Sequence, residues 1–371
     1  MKKLHILMPL LAALFCVSVQ AAGEGTDIVE RAAEALNLER VEQALPDDAR
    51  SLLDGLDVMD ASDLGAQLHT LAANVLYRST GALRAGLTCA LQLLGIAALC
   101  GLAQGMLKAA DADIPVVSAA GALAAGAAML SQTGGMLTLA QDAIEEMNIF
   151  SKALLPVMTA ACTASGAAVS AASRHAVVVF LTDVVITAIH AAVVPMAYSN
   201  IALQIACCIS GADSLAKLAT QLRNFMNSFL RTLLTLFMTY FALSGVITGS
   251  ADAMTLRTLK LTLSSTLPVV GGIMSDAANA VLTGAQIVRS SIGVFGMLGL
   301  LAIGVVPFVQ IGIRYLCVRM AAVFASMSND TGVARLIEGM ADSFGLLLGL
   351  CGSCILLLMM SVFVGMTAWG L

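Results

Sequence analysis

The chain is short of charge. Only 12% of its 371 residues are Asp, Glu, Lys or Arg, against about 25% in a soluble domain. A water-soluble fold of this length could not cover itself with so few charges. Basic clusters are missing too, which leaves no surface for nucleic acid. Cysteine is absent from the one strongly polar stretch, residues 23–63. Eight of the nine cysteines lie in or beside apolar runs and Cys16 lies near the start, so no disulfide framework is present. There is no P-loop, no dinucleotide-binding glycine pattern and no His-Glu-x-x-His. Cys351 and Cys354 form a lone C-x-x-C, and zinc would need two further ligands. No nucleophile–base pair stands out. The sequence therefore points to no enzyme, metal or cofactor.

What remains is apolar. Hydrophobic residues make up 59% of the chain and mean hydropathy is +0.91. With lipid as solvent, only helices or closed barrels satisfy the backbone. Barrel strands alternate apolar and polar residues over roughly 10 positions, whereas this chain has long unbroken apolar runs. The expected fold is all-α: a polytopic transmembrane helix bundle with a small helical extramembrane segment at the N-terminus.

Three regions follow. Residues 1–21 read as an export signal: Lys2 and Lys3, an apolar stretch, then Val19-Gln20-Ala21 with small residues before the cleavage point. An uncleaved anchor is the alternative, and either places the next segment outside the cytoplasm. Residues 22–84 form an acidic helical segment that carries half of the 24 acidic residues. Pro46 with Asp47 and Asp48 opens one helix there, and Leu64, Leu68, Leu71 and Val75 share a face of another, with Ser62 as its cap. So short a stretch buries little core alone, so it should pack on the membrane part or on a partner.

Residues 85–371 form the transmembrane domain. Ala85–Leu107, Ile114–Leu139, Ala153–Ser173, Phe229–Gly249, Ser291–Ile313 and Ser343–Leu371 are each long enough to span. A loop with Asp142, Glu145 and Glu146 separates the second from the third. Residues 176–209 exceed one simple span, and Pro195 divides them. The count is six to eight. Basic residues mark the inner face, so Lys217, Arg223, Arg231, Arg314, Arg319 and Arg335 should lie inside. That requires 176–209 to turn back and Leu261–Ala285 to be re-entrant. Gly101 with Gly105, and Gly345 with Gly349, are small-xxx-small pairs that fit a compact bundle or a homo-oligomer.

Two polar groups interrupt the apolar background. Asp183, Thr187 and His190 share one helix face. A charged Asp near mid-bilayer costs about 2.5–3.5 kcal/mol on insertion scales, so this face should meet protein or water. It is either an ion or proton path or an interhelical hydrogen-bond cluster. The second group follows a helix break at Pro268, Gly271 and Gly272. Ser275 can cap the next helix. Asp276, Asn279, Thr283 and Gln286 then form a polar stripe ending at Arg289. Such a segment lines a cavity or an interface.

The stretches Thr248-Gly249-Ser250-Ala251-Asp252-Ala253-Met254-Thr255-Leu256-Arg257-Thr258-Leu259-Lys260 and Leu267-Pro268-Val269-Val270-Gly271-Gly272-Ile273-Met274-Ser275-Asp276-Ala277 resemble the stage III sporulation protein AE family. The order of leader, acidic segment and polytopic domain is similar as well. The resemblance implies a multi-pass protein of the mother-cell membrane around the forespore. It implies a subunit of a secretion-like assembly that, with a forespore membrane partner, connects the two cells. That assembly supports late forespore gene expression and forespore integrity. Its partners would be the other membrane subunits of the stage III sporulation assembly and the lipid bilayer. The family brings no catalytic residues. The alternative is a self-contained transporter or ion pathway, for which matched broken helices in an internal repeat would be typical. No convincing repeat is present.

Overall fold

The structure is a computed structural model. It describes residues 38–53, 72–109, 116–164, 183–210, 214–233, 271–327 and 331–367, with a few single positions between them. The described residues are helical and contain no strand. The elements are α1 (Leu38–Gln43), α2 (Asp47–Leu53), α3 (Thr80–Ala109), α4 (Val116–Ala164), α5 (Val194–Ser210), α6 (Gly271–Ala325) and α7 (Thr331–Thr367). A π-helical turn, Ile189–Val193, leads into α5.

The core is a hairpin of α6 and α7. Gly304 meets Ile355, Gly312 meets Leu348 and Gly345 meets Tyr315, so the two run antiparallel. α4 also runs antiparallel to α6, with Leu154 on Gly296 and Phe150 on Gly299. These glycines let the large side chains of α4 reach the α6 backbone. Phe150, Leu154 and Leu298 are fully buried there. Of the anticipated pair Gly345 and Gly349, Gly345 packs on Tyr315, while Gly349 faces open space. α5 closes the bundle against α4 and α7, and α3 packs on α4 and α6.

Among the described residues, four helices are long and apolar enough to cross a membrane: Thr80–Leu107, Asp183–Cys207, Ala285–Ala325 and Gly332–Phe363. The chain is thus a helical membrane protein. The anticipated loop at Asp142, Glu145 and Glu146 does not exist. α4 runs unbroken through it for 49 residues, about 74 Å at 1.5 Å per residue. The three carboxylates sit on its exposed side, and Ala143, Ile144 and Met147 are buried behind them. Ala140 to Met147 contains only residues compatible with helix and neither Gly nor Pro, so charge alters which side faces out without ending the helix.

Residues 183–210 are likewise one helical run rather than a segment that turns back. Pro195 lacks the N–H that would bond back to residue 191, and the π turn just before it absorbs the defect. From Gly271 onward no separate dipping segment is present, because 271–285 are the first turns of the 55-residue α6. Gly271 and Gly272, anticipated as part of the break, are instead the first two residues of α6. Pro268 lies outside the described residues, as do most of Phe229–Gly249 and all of Ala167–Ser173. Ser275 lies inside α6 and does not cap it.

The acidic segment packs on the apolar bundle. α2 opens at Asp47 after Pro46, and Val41, Leu45, Leu52 and Leu53 are buried against it. α1 touches α4, and α2 touches α6. Arg78, in the helical turns ahead of α3, donates to Ser51 Oγ at 2.6 Å and pairs with Asp48 at 3.6 Å. Residues 54–71, with Ser62, Leu64 and Leu68, lie outside the described residues.

Candidate functional site

Asp183 has a partner that the sequence pattern does not identify. Its Oδ1 lies 2.6 Å from Lys152 Nζ, on α4, and both side chains are about half exposed. An Asp on an apolar helix needs a counter-charge or water, and α4 supplies the charge at its exposed edge. Thr187, one turn on, is exposed. His190 falls on the π turn, and its side chain lies outside those described. Of this face, the described side chains show the Lys152–Asp183 ion pair and an exposed Thr187.

The polar stripe divides. Asp276, Asn279 and Thr283 fall on the first turns of α6, and their side chains lie outside those described. Gln286 is exposed, whereas Arg289 is only 3% exposed. The last two members of the stripe thus face different surroundings.

The strongest polar cluster lies at the other end of the α6–α7 hairpin. Asp342, on α7, accepts from Arg223 and from Arg319 Nη1, the latter at 3.3 Å. Arg319 also meets Glu338 Oε1 at 3.5 Å. Next to Asp342 in α7, Ser343 Oγ donates to the Gly339 carbonyl at 3.1 Å and accepts from Asn200 Nδ2 at 3.2 Å. The Gln204 carboxamide lies over Gly339, where a Cβ would otherwise stand. Further along α6, Arg314 donates to Gln132 of α4. Five helical segments are joined by these groups. Arg223 and Arg319 were both expected at the inner face, and sharing one carboxylate places them at one level.

α3 adds a difference. Gly86, near its start, packs on Ile313 and Cys317. Arg84 therefore stands level with the Arg314–Arg319 stretch, whereas counting cations per loop puts them on opposite faces. One or two cations per loop are a weak bias, and packing overrides it.

Chemically, these groups hold helices together. Among the described residues, no three His, Cys, Asp or Glu side chains are arranged to hold a metal ion. Cys351 and Cys354 are buried in α7.

A model of the family described as stage III sporulation protein AE matches residues 54–368. The stage III sporulation protein AE of Bacillus subtilis (strain 168) is 30% identical over 175 residues, 47% of this chain. The aligned stretch spans 44% of that curated relative's length. No solved structure matches the chain.

Proposed function

Because this chain belongs to the stage III sporulation protein AE family, we propose that it serves sporulation as a non-catalytic, multi-pass membrane subunit of a secretion-like channel assembly between mother cell and forespore. Its partners are the other membrane subunits of that assembly and a partner in the forespore membrane. It resides in the mother-cell membrane around the forespore, and its acidic N-terminal segment lies outside the cytoplasm. Its task is to sustain late forespore gene expression and the integrity of the engulfed forespore.

The observation that carries this reading is the family match over residues 54–368, which takes in α3 to α7 together. The interior supports it. Among the described residues, several polar groups join helices: Lys152 with Asp183, Arg223 and Arg319 with Asp342, Arg314 with Gln132. A bundle stapled in this way suits a rigid subunit better than a transporter that rocks about a central site.

The test is deletion of the gene in the sporulating host. Engulfment is expected to complete, a late forespore reporter to fall, and the intact chain to restore it. Normal late expression and normal forespores in the deletion strain would refute the reading.

A further inference from the structure

Residues 214–233 form one continuous described helix. Its apolar side covers the bundle: Ala219 and Met226 are 8% and 0% exposed, and Leu222, Phe229 and Leu230 pack against the core. The opposite side is polar, with Lys217, Thr220, Gln221, Asn224, Asn227 and Arg231 all exposed. Facing hydrocarbon, such a side would carry a heavy cost in unsatisfied polar groups and charge. It must therefore meet water or headgroups. Between the two sides runs an apolar shoulder: Leu218 and Phe225, two turns apart, are 56% and 55% exposed. Phe225 is stacked on Phe229, with ring centroids 6.3 Å apart.

Charge decides what the outer side meets. From Ser214 to Ser250 the chain holds three cations, Lys217, Arg223 and Arg231, and no Asp or Glu. Arg223 turns inward to Asp342 and pins the helix to the end of the α6–α7 hairpin. Lys217 and Arg231 remain on the outer side, four turns apart. Close by in sequence to Arg319, the last turns of α6 expose Leu316, Met320, Val323 and Phe324. A polar side with cations only, an apolar shoulder and an adjacent apolar helix end together describe a helix at a membrane surface.

We propose that residues 214–233 are an interfacial helix that holds anionic phospholipid headgroups through Lys217 and Arg231, with Leu218 and Phe225 entering the acyl region. Each cation near such a surface is worth about 1 kcal/mol, roughly a fivefold local enrichment of anionic lipid. The helix fixes the boundary of the bilayer at the Arg223–Asp342–Arg319 end of the bundle.

The test uses the full chain in vesicles of phosphatidylcholine and phosphatidylglycerol. Trp369 is the single tryptophan, so Trp369→Phe gives a silent background for Leu218→Trp, Phe225→Trp and Thr220→Trp. Tryptophan at 218 and 225 is expected to be quenched by lipids brominated high on the acyl chain, and at 220 to be quenched far less. Brominated phosphatidylglycerol should quench position 225 severalfold more than brominated phosphatidylcholine at low salt. High salt should shrink that preference, and Lys217→Gln with Arg231→Gln should abolish it. Lys217→Arg with Arg231→Lys should retain it. Deep bromines quenching 218 and 220 alike would overturn the proposal, because the helix would then span. So would no quenching at 218 and 225, or equal quenching by the two lipids in the chain with both cations intact.

Discussion

Gly299 and Phe150 set how closely α4 approaches α6. A Cβ on Gly299 would meet Cε1 of the Phe150 ring at 2.9 Å, and that ring is fully buried. Gly299→Ala should cost about 1–3 kcal/mol through overpacking, read as a lower thermal midpoint of the purified protein in detergent. Gly349 faces open space within α7, so Gly349→Ala should be tolerated and raise stability by about 0.5–1 kcal/mol. Asp342 is the second decisive residue. Asp342→Asn leaves Arg223 and Arg319 without their shared carboxylate. Since the pair of Arg223 and Asp342 is about one-third exposed, the loss should fall between the ~1 kcal/mol of a surface pair and the ~3–5 kcal/mol of a buried one. A double-mutant cycle with Arg223→Gln would measure the coupling.

At the scale of elements, the docking of the acidic segment on α4 is expected to respond to pH. Burial, with the carboxylates of Asp142 and Asp48 nearby, holds the Glu146 carboxyl above the usual carboxylate range. The folded state therefore binds this proton more tightly than the unfolded chain does. Its ionised form opposes folding, so stability from this group is gained as pH falls through the raised value. The gain is complete below the ordinary value near about 4.3. Limited proteolysis between residues 38 and 79 should slow as pH is lowered through that window, and Glu146→Gln should weaken the pH dependence. The apolar helices were legible in the sequence because length and hydropathy fix them, and the start of α2 because Pro46 and the two aspartates mark it. The continuity of α4 was hidden, since Asp142, Glu145 and Glu146 look like a loop until they are seen on the outward side of one helix. Asp183 was legible as a charge needing an answer, but Lys152, 31 positions earlier, was not. Nor was the cluster of Arg223, Arg319 and Asp342, because nothing local joins residues so far apart in the chain.

At the scale of the whole molecule, α4 and α6 are 49 and 55 residues long, about 74 Å and 82 Å. Each exceeds the roughly 30 Å hydrocarbon core more than twofold. The bundle must project well beyond the bilayer or tilt strongly within it, and a projecting end offers surface for other subunits. The account rests on assembly because the family match takes in the whole described bundle. The most direct test is purification of the tagged chain from sporulating cells in mild detergent, with the composition of the recovered complex determined. The account predicts that other membrane subunits of the stage III sporulation assembly come with it in fixed proportion. A chain recovered alone that carries substrate across liposomes unaided would contradict it.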